Sequence, residues 1–218
     1  MVDQQPAPPA SRRRLGFPHV RQAILLTARD VMRAEGAGAL SLNEVARRLG
    51  LKTPSLYTYF PSKFALLDAL FLDGMRMFRE RLARLTAAGP VEDLLEAGIA
   101  NYLAFADENP DLYALLFERP IPGFVPSDES LAEAAALLSD GEALFQSAID
   151  SGAIRSALDA ARTRDLFIAV CHGITALKRA NEPAAAPGEG RFGPLVPHAA
   201  ALLRNAWLTS TGPERNHQ

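Results

Sequence analysis

An all-α fold is what this sequence predicts: about nine helices, with a small three-helix unit at the N-terminal end and a larger helical domain after it. Three observations carry that prediction. Apolar residues recur every three to four positions through most of the chain. No segment alternates with period two between hairpin turns. Glycines, prolines and capping residues break the apolar pattern at helix-length intervals. The 218 residues are 48% apolar, ample for a packed core, and no repeat at a fixed 20–50-residue period is visible.

The elements follow in order. Residues 1–17, Pro/Ala/Gln-rich at first and then carrying Arg12, Arg13 and Arg14, read as a disordered basic arm. From about Pro18, Val20, Ile24, Ala28 and Val31 share one helical face, and Gly36 and Gly38 end that helix. Ser41 with Glu44 three residues on is a capping box: the hydroxyl accepts the N–H at 44 and the carboxylate reaches back to the N–H at 41. A short helix over 42–49 follows, closed by Gly50 as a left-handed stop. Thr53 and Pro54 then serve as cap and first residue of a helix over 54–60, ended by Pro61. A long helix over 62–87 keeps Leu67, Leu70, Phe71, Phe78 and Leu82 in period, and Gly89 and Pro90 break it. Helices over 91–108 and 111–117 flank Asn109 and Pro110, and RPIPGFVP (119–126) is a loop. Helices over 128–151, 159–181 and 195–209 complete the chain, the last two joined by a flexible connector, EPAAAPGEG (182–190). The expected organisation is an arm (1–17), a helix-turn-helix unit (18–63), a larger helical domain (64–210) and a disordered tail (211–218).

Net charge is −2, but it is unevenly spread. Residues 1–63 hold 10 Lys/Arg against 4 Asp/Glu, and the remainder holds 13 against 21. A basic end on an acidic chain is the asymmetry expected of a polyanion binder, although basic patches serve other partners too. The single cysteine, Cys171, excludes an internal disulfide and suits a reducing cytoplasm. No apolar run reaches the length of a membrane span, and the N-terminus does not read as a signal peptide, so no membrane partner is expected. Nor is an enzyme. Cys171 and His172 are adjacent and project about 100° apart on a helix, which rules out a thiolate–imidazole pair on one face. The four histidines show no metal-ligand spacing, so no catalytic residue, metal or cofactor is expected.

The informative segment is 40–63. Two short helices joined at Gly50 form a helix-turn-helix, in which Leu42, Val45, Ala46, Leu49, Leu51, Leu56 and Phe60 lock against their neighbours. What remains on the second helix is polar, aromatic or basic. Lys52, Thr53, Ser55, Tyr57 and Tyr59 are placed to face a major groove, and the helix N-terminus offers free N–H groups to a phosphate. A helical hairpin with a merely polar outer face would show the same pattern.

Residues 20–70 resemble the DNA-binding domain of the TetR family of bacterial regulators. The likeness rests on Ser41 to Glu44, Val45-Ala46, Leu49-Gly50 and above all SLYTYFPSK (55–63) followed by Leu66-Leu67. It implies that Lys52, Thr53, Pro54 and Tyr57 meet bases of double-stranded DNA, and that Ser41, Asn43, Ser55, Tyr59 and Lys63 grip phosphates. Tyr57 packing inward beneath the helix is the alternative for that residue. Asn43 departs from the basic residue some members carry. The arginines 12–14 stand where family arms enter the minor groove, or else form a solubilising tail.

Beyond residue 90 the likeness thins. NYLAFADENPDLYALLF (101–117) and FIAVCHGITAL (167–177) are similar to a regulator domain named for a Trp-His-Gly motif, with Cys171 in the Trp position and His172-Gly173 kept. A helical domain of this size can hold an apolar effector cavity. Its candidate lining is Tyr102, Phe105, Tyr113, Phe117, Phe167, Cys171 and His172, each of which could equally be core. His172, polar within an apolar run, needs a partner, either a ligand or a backbone carbonyl. The resemblance further implies a homodimer through the last two helices. Ala169, Gly173 and Ala176 would allow close approach, and Leu202, Leu203, Ala206 and Trp207 form an apolar stripe. Two regulators stay open: a homodimeric repressor released from a palindromic operator by an unknown small-molecule effector, and a repressor or activator without a ligand.

Overall fold

The computed structural model describes residues 17–87, 89, 91–155 and 157–208. Nine α-helices occur among the described residues: α1 (Phe17–Glu35), α2 (Leu42–Leu49), α3 (Thr53–Tyr57), α4 (Lys63–Thr86), α5 (Val91–Glu108), α6 (Pro110–Tyr113), α7 (Asp128–Asp150), α8 (Ala160–Asn181) and α9 (Leu195–Trp207). A 3₁₀ turn (Ala37–Ala39) follows α1, and a π turn (Ala114–Glu118) continues α6. The arm expected at 1–17 lies outside the described residues except for Phe17, which opens α1, and so does the tail at 211–218.

Local chemistry sets most helix starts. Side chains of Ser41, Ser62, Ser127 and Asp159 each accept the N–H three residues on, satisfying one otherwise orphaned donor per helix. Only half of the capping box at α2 forms, however. Glu44 gives its carboxylate to Arg47 and Arg48, whose hydrogen bonds and charges hold it at about 2. Gly50 closes α2 at φ 63, a left-handed conformation that strains any residue with a Cβ. The π turn was not foreseen, because the sequence read 111–117 as one continuous helix.

Helices α1, α2 and α3 form the small unit on the first turns of α4, with Ile24, Val45, Leu56 and Leu66 at 0% exposure in its centre. Burying one such aliphatic side chain contributes about 1.5–3 kcal/mol. The larger unit wraps α4, α7, α8 and α9 around α5. The connector between α8 and α9 is pinned rather than free. Lys178, 1% exposed, spends all three ammonium protons on both carboxylate oxygens of Asp107 and the Ala185 carbonyl, each at 2.9 Å. Glu182 accepts the Arg191 N–H at 2.8 and 2.9 Å.

Candidate nucleic-acid interface and effector cavity

Leu56 and Phe60 hold the α3 segment from behind, 0% and 3% exposed. That leaves Pro54, Ser55 and Tyr57 on the outer face, with Thr53 half-buried beside them. Tyr57 is 51% exposed, which settles its orientation outward. Lys52 is exposed and caps α3 with its backbone, so Thr53 is the first helical residue and not the cap. Asn43 is exposed at the start of α2, while the Ser41 hydroxyl is occupied with the cap.

Four expectations change here. Tyr59 turns inward and stacks on Phe17 with centroids 4.4 Å apart, so its ring joins α3 to the start of α1. Lys63 donates to the Gly38 carbonyl at 3.1 Å, strapping α4 to the 3₁₀ turn. Leu51, assigned to the apolar lock, is 37% exposed. At five residues, α3 is little more than one turn, and its dipole is a minor term beside direct contacts.

The basic excess of the N-terminal end is also redistributed. Arg47 and Arg48 pair with Glu44, and Arg48 also with Glu35. Arg29 and Arg33 leave the interface altogether and converge on Asp111. Arg21 lies over the Phe60 ring at 5.3 Å. Lys52 and Lys63 carry no ion pair among the described residues, so the positive charge offered to a polyanion is local to α3 and its flanks.

The larger unit encloses a cavity of about 460 Å³. Its walls are Met75, Phe78 and Leu82 from α4, Gly98 and Tyr102 from α5, Leu137 and Phe145 from α7, and Phe167, Ile168 and Cys171 from α8, with Phe117 from the π turn. Gly98 matters to this wall because a Cβ there would lie 2.8 Å from the Phe167 ring. Of the residues expected to line the space, Tyr102, Phe117, Phe167 and Cys171 do so, whereas Phe105, Tyr113 and His172 stand behind it. Phe105 packs against Phe78 at 4.8 Å in the core. Burial pushes the Cys171 thiol up to about 12, so it remains a thiol.

His172 finds neither of its expected partners. Its Nδ1 meets the Tyr113 hydroxyl at 2.9 Å and the Tyr102 hydroxyl at 3.3 Å, with the Tyr113 ring stacked on the imidazole. Burial raises both phenols, Tyr113 to about 12, so both keep their protons. A phenol hydroxyl can donate or accept, so these contacts hold the ring in place with either tautomer.

Tyr113 sits on α6, and α6 touches α1. Two residues before it, the Asp111 carboxylate, with 0% of its side chain exposed, accepts from Arg29 Nε at 2.6 Å and Arg33 Nε at 2.9 Å. Arg29 also reaches Asn109 Oδ1 at 2.8 Å. Burial alone would raise the Asp111 carboxyl, but the hydrogen bonds and charges of Arg29 and then Arg33 outweigh it and hold it below the usual carboxylate range. Pattern reading missed this cluster because its partners lie about 80 residues apart. An acidic residue just after Pro110, heading the apolar run from Leu112 to Phe117, was the available signal.

On α8, Ala169 and Gly173 are exposed and Ala176 half-buried, with Leu166 and Leu177 exposed alongside. On α9, Leu202 is 71% exposed and Ala206 exposed. Leu203 and Trp207 turn the other way into the protomer, where Trp207 meets Phe145 edge-on at 6.0 Å. The outward apolar face therefore excludes two of the seven residues assigned to it.

Residues 24–70 match the family model described as bacterial regulatory proteins, tetR family. An HTH-type transcriptional regulator of Mycobacterium tuberculosis is 28% identical over 154 residues, 69% of this chain and 66% of that relative, just under two thirds of its length. A protein with unknown function from Rhodococcus sp. RHA1 superposes with a TM-score of 0.76 at 23% identity, covering 91% of this chain and 100% of that one. The transcriptional regulator FadR from Bacillus subtilis, solved in complex with stearoyl-CoA, superposes at 0.69 with 17% identity, over 84% and 96%.

Proposed function

We propose, from the match of residues 24–70 to the tetR family model, that the protein is a TetR-family regulator acting as a homodimeric transcriptional repressor released from a palindromic operator by a small apolar effector. The observation that carries this reading is the joining of an outward polar α3 face to a partly open cavity through one short element. The face is Lys52, Thr53, Pro54, Ser55 and Tyr57; the cavity is walled by Tyr102 and Phe117; between them lie Tyr113, His172 and the Asp111–Arg29–Arg33 cluster.

The α3 face reads base edges, and Asn43 and Ser41 contribute phosphate contacts at its flanks. The exposed apolar faces of α8 and α9 meet those of a second copy, setting two α3 segments about one helical turn of DNA apart. An effector that fills the cavity moves Tyr102 and Phe117, and the shift passes through α6 to α1. Operator release then corresponds to a coupling of about 1–3 kcal/mol between the two sites. That a neighbour with this fold is solved in complex with stearoyl-CoA, an anionic molecule with a long apolar acyl chain, supports the view that such a frame can take up a ligand.

The test is selection of bound fragments from random duplex DNA, followed by anisotropy titration of the selected duplex against competitor. The proposal expects a two-fold symmetric site, and a binding stoichiometry of two chains per site. Equal affinity for selected and random duplex would overturn it.

A further inference from the structure

We infer that the cavity between α4, α5, α7 and α8 takes an uncharged, largely apolar molecule and discriminates against anions and cations of the same size. This rests on the effector reading above and narrows it.

The charged side chains of the lining, Arg79, Asp140 and Arg164, stand at the rim. Arg79 and Arg164 border the opening, and an acidic ligand would seek them first. Neither guanidinium is available. Arg79 binds Asp140 at 2.6 Å and Glu133 at 3.1 Å. Arg164 binds Glu142 at 2.9 Å and Asp165 at 2.8 Å, and its Nη1 also reaches the Leu138 carbonyl at 3.2 Å. Two cations thus face four carboxylates. An incoming anion would displace one of these from its partner and leave it beside the new charge, an arrangement repelled from both sides.

Inside the rim the walls are aromatic and aliphatic: Phe78, Phe117, Phe145 and Phe167 with Leu137 and Ile168. An ion carried into such a space loses its hydration with no fixed partner to replace it. A cation is no better placed, because the nearest lining carboxylate, Asp140, stands on the rim already bound to Arg79. The uncharged polar lining side chains are Thr86, whose hydroxyl donates to the Ala83 carbonyl, with Tyr102 and Cys171, which burial keeps protonated. Neutral ring-bearing or chain-like molecules match what remains, since ring faces and methylenes both gain from the aromatic walls. A volume of about 460 Å³ lies within the range that encloses small ligands.

The test uses the full chain and the neutral fluorophore N-phenyl-1-naphthylamine. Its displacement is measured with 1-tetradecanol, tetradecanoate and tetradecyltrimethylammonium, three molecules of one chain length that differ in charge, each below its micellar concentration. The alcohol is expected to displace the probe at concentrations at least about tenfold lower than either ion. Equal or tighter displacement by either ion overturns the inference.

Leu137→Trp, which fills the cavity from α7, is expected to abolish probe binding. Gly98→Ala, which drives the Phe167 ring off its seat on α5, is expected to weaken it severalfold and serves alone if the tryptophan variant fails to fold. Unchanged probe binding in Gly98→Ala with Leu137→Trp unfolded, or in both, overturns the assignment to this cavity. Operator anisotropy separates the two readings. If the alcohol binds and the duplex stays bound, the ligand class stands and the switch falls. If tetradecanoate alone releases the duplex, the switch stands and the ligand class falls.

Discussion

Asp111→Asn tests the seam between the two units, because it removes one charge while keeping the size of the side chain. Removing one member of a fully buried ion pair costs about 3–5 kcal/mol. Two features lower that figure here. The Arg33 side chain is 40% exposed and rehydrates, and Arg29, at 14%, keeps Asn109 Oδ1 at 2.8 Å. The expected loss at pH 7 is therefore about 2–3 kcal/mol. The sign of its pH dependence follows from the lowered carboxyl. A group lowered in the folded state contributes stability that is complete above its unfolded value, about 3.9, and disappears as pH falls through the folded one. The gap between wild type and Asp111→Asn should then be full at pH 7 and narrow from about pH 4 downwards. Urea unfolding of Asp111→Asn, Arg29→Ala and the double variant measures the pair directly, with an expected coupling of about 1.5–3 kcal/mol. A coupling below about 0.5 kcal/mol, or a gap that widens on acidification, would refute the reasoning.

Three further substitutions and one labelling reaction test individual side chains. Tyr57→Ala should leave the melting temperature within about 1 °C of wild type and abolish preference for the selected duplex, whereas Tyr59→Ala, which loses the stack on Phe17, should lower stability by about 1–2 kcal/mol. Thermal unfolding and anisotropy on both variants decide it; a destabilised Tyr57→Ala contradicts the outward placement. Ser41→Ala removes the acceptor for the Glu44 N–H at 3.1 Å and should cost about 1 kcal/mol in urea unfolding, and no loss would mean that water replaces the cap. Cys171, with its thiol pushed up to about 12 and 1% of the residue exposed, should resist an aromatic disulfide reagent at pH 8 until denaturant is added; fast labelling of the native chain would contradict its burial.

Helix positions were legible wherever a short-range signal marked them. Ser41 and Gly50 bracket α2 at Leu42–Leu49, and the break at 89–90 places α5, because a cap or a left-handed glycine acts within four residues. The end of α3 was less so: the helix ends at Tyr57, and Phe60 continues the buried face in the turn that follows, its N–H on the Leu56 carbonyl at 2.9 Å. The outward set on α3 followed from elimination of Leu56 and Phe60, and Tyr57 shows the method at its best. Tyr59 and Lys63 show its limit, since each is claimed by a partner more than 20 residues away. In the larger unit, the aromatics were the right residue type but could not be divided between wall and backing. Tyr102 and Phe117 line the space, while Phe105, Tyr113 and His172 do not, and the division depends on how α5 and α8 rotate about their axes. The rim arginines, Arg79 and Arg164, carried no signal at all, because charged residues on helix exteriors look alike until their neighbours are known.

Helix α6 is only four residues long, Pro110–Tyr113, followed by a π turn and by Arg119 in the left-handed region at φ 47. A helix this short has no stability of its own in water. Its shape is therefore borrowed: arginines from one unit grip one side, and an imidazole from the other grips the opposite side. Moving such a segment surrenders few internal hydrogen bonds, so the resistance comes from those outside grips. Relocating it takes only a change in which neighbour holds it harder, so the contacts between the two units run through a segment with little rigidity of its own as well as through α4, which both units share.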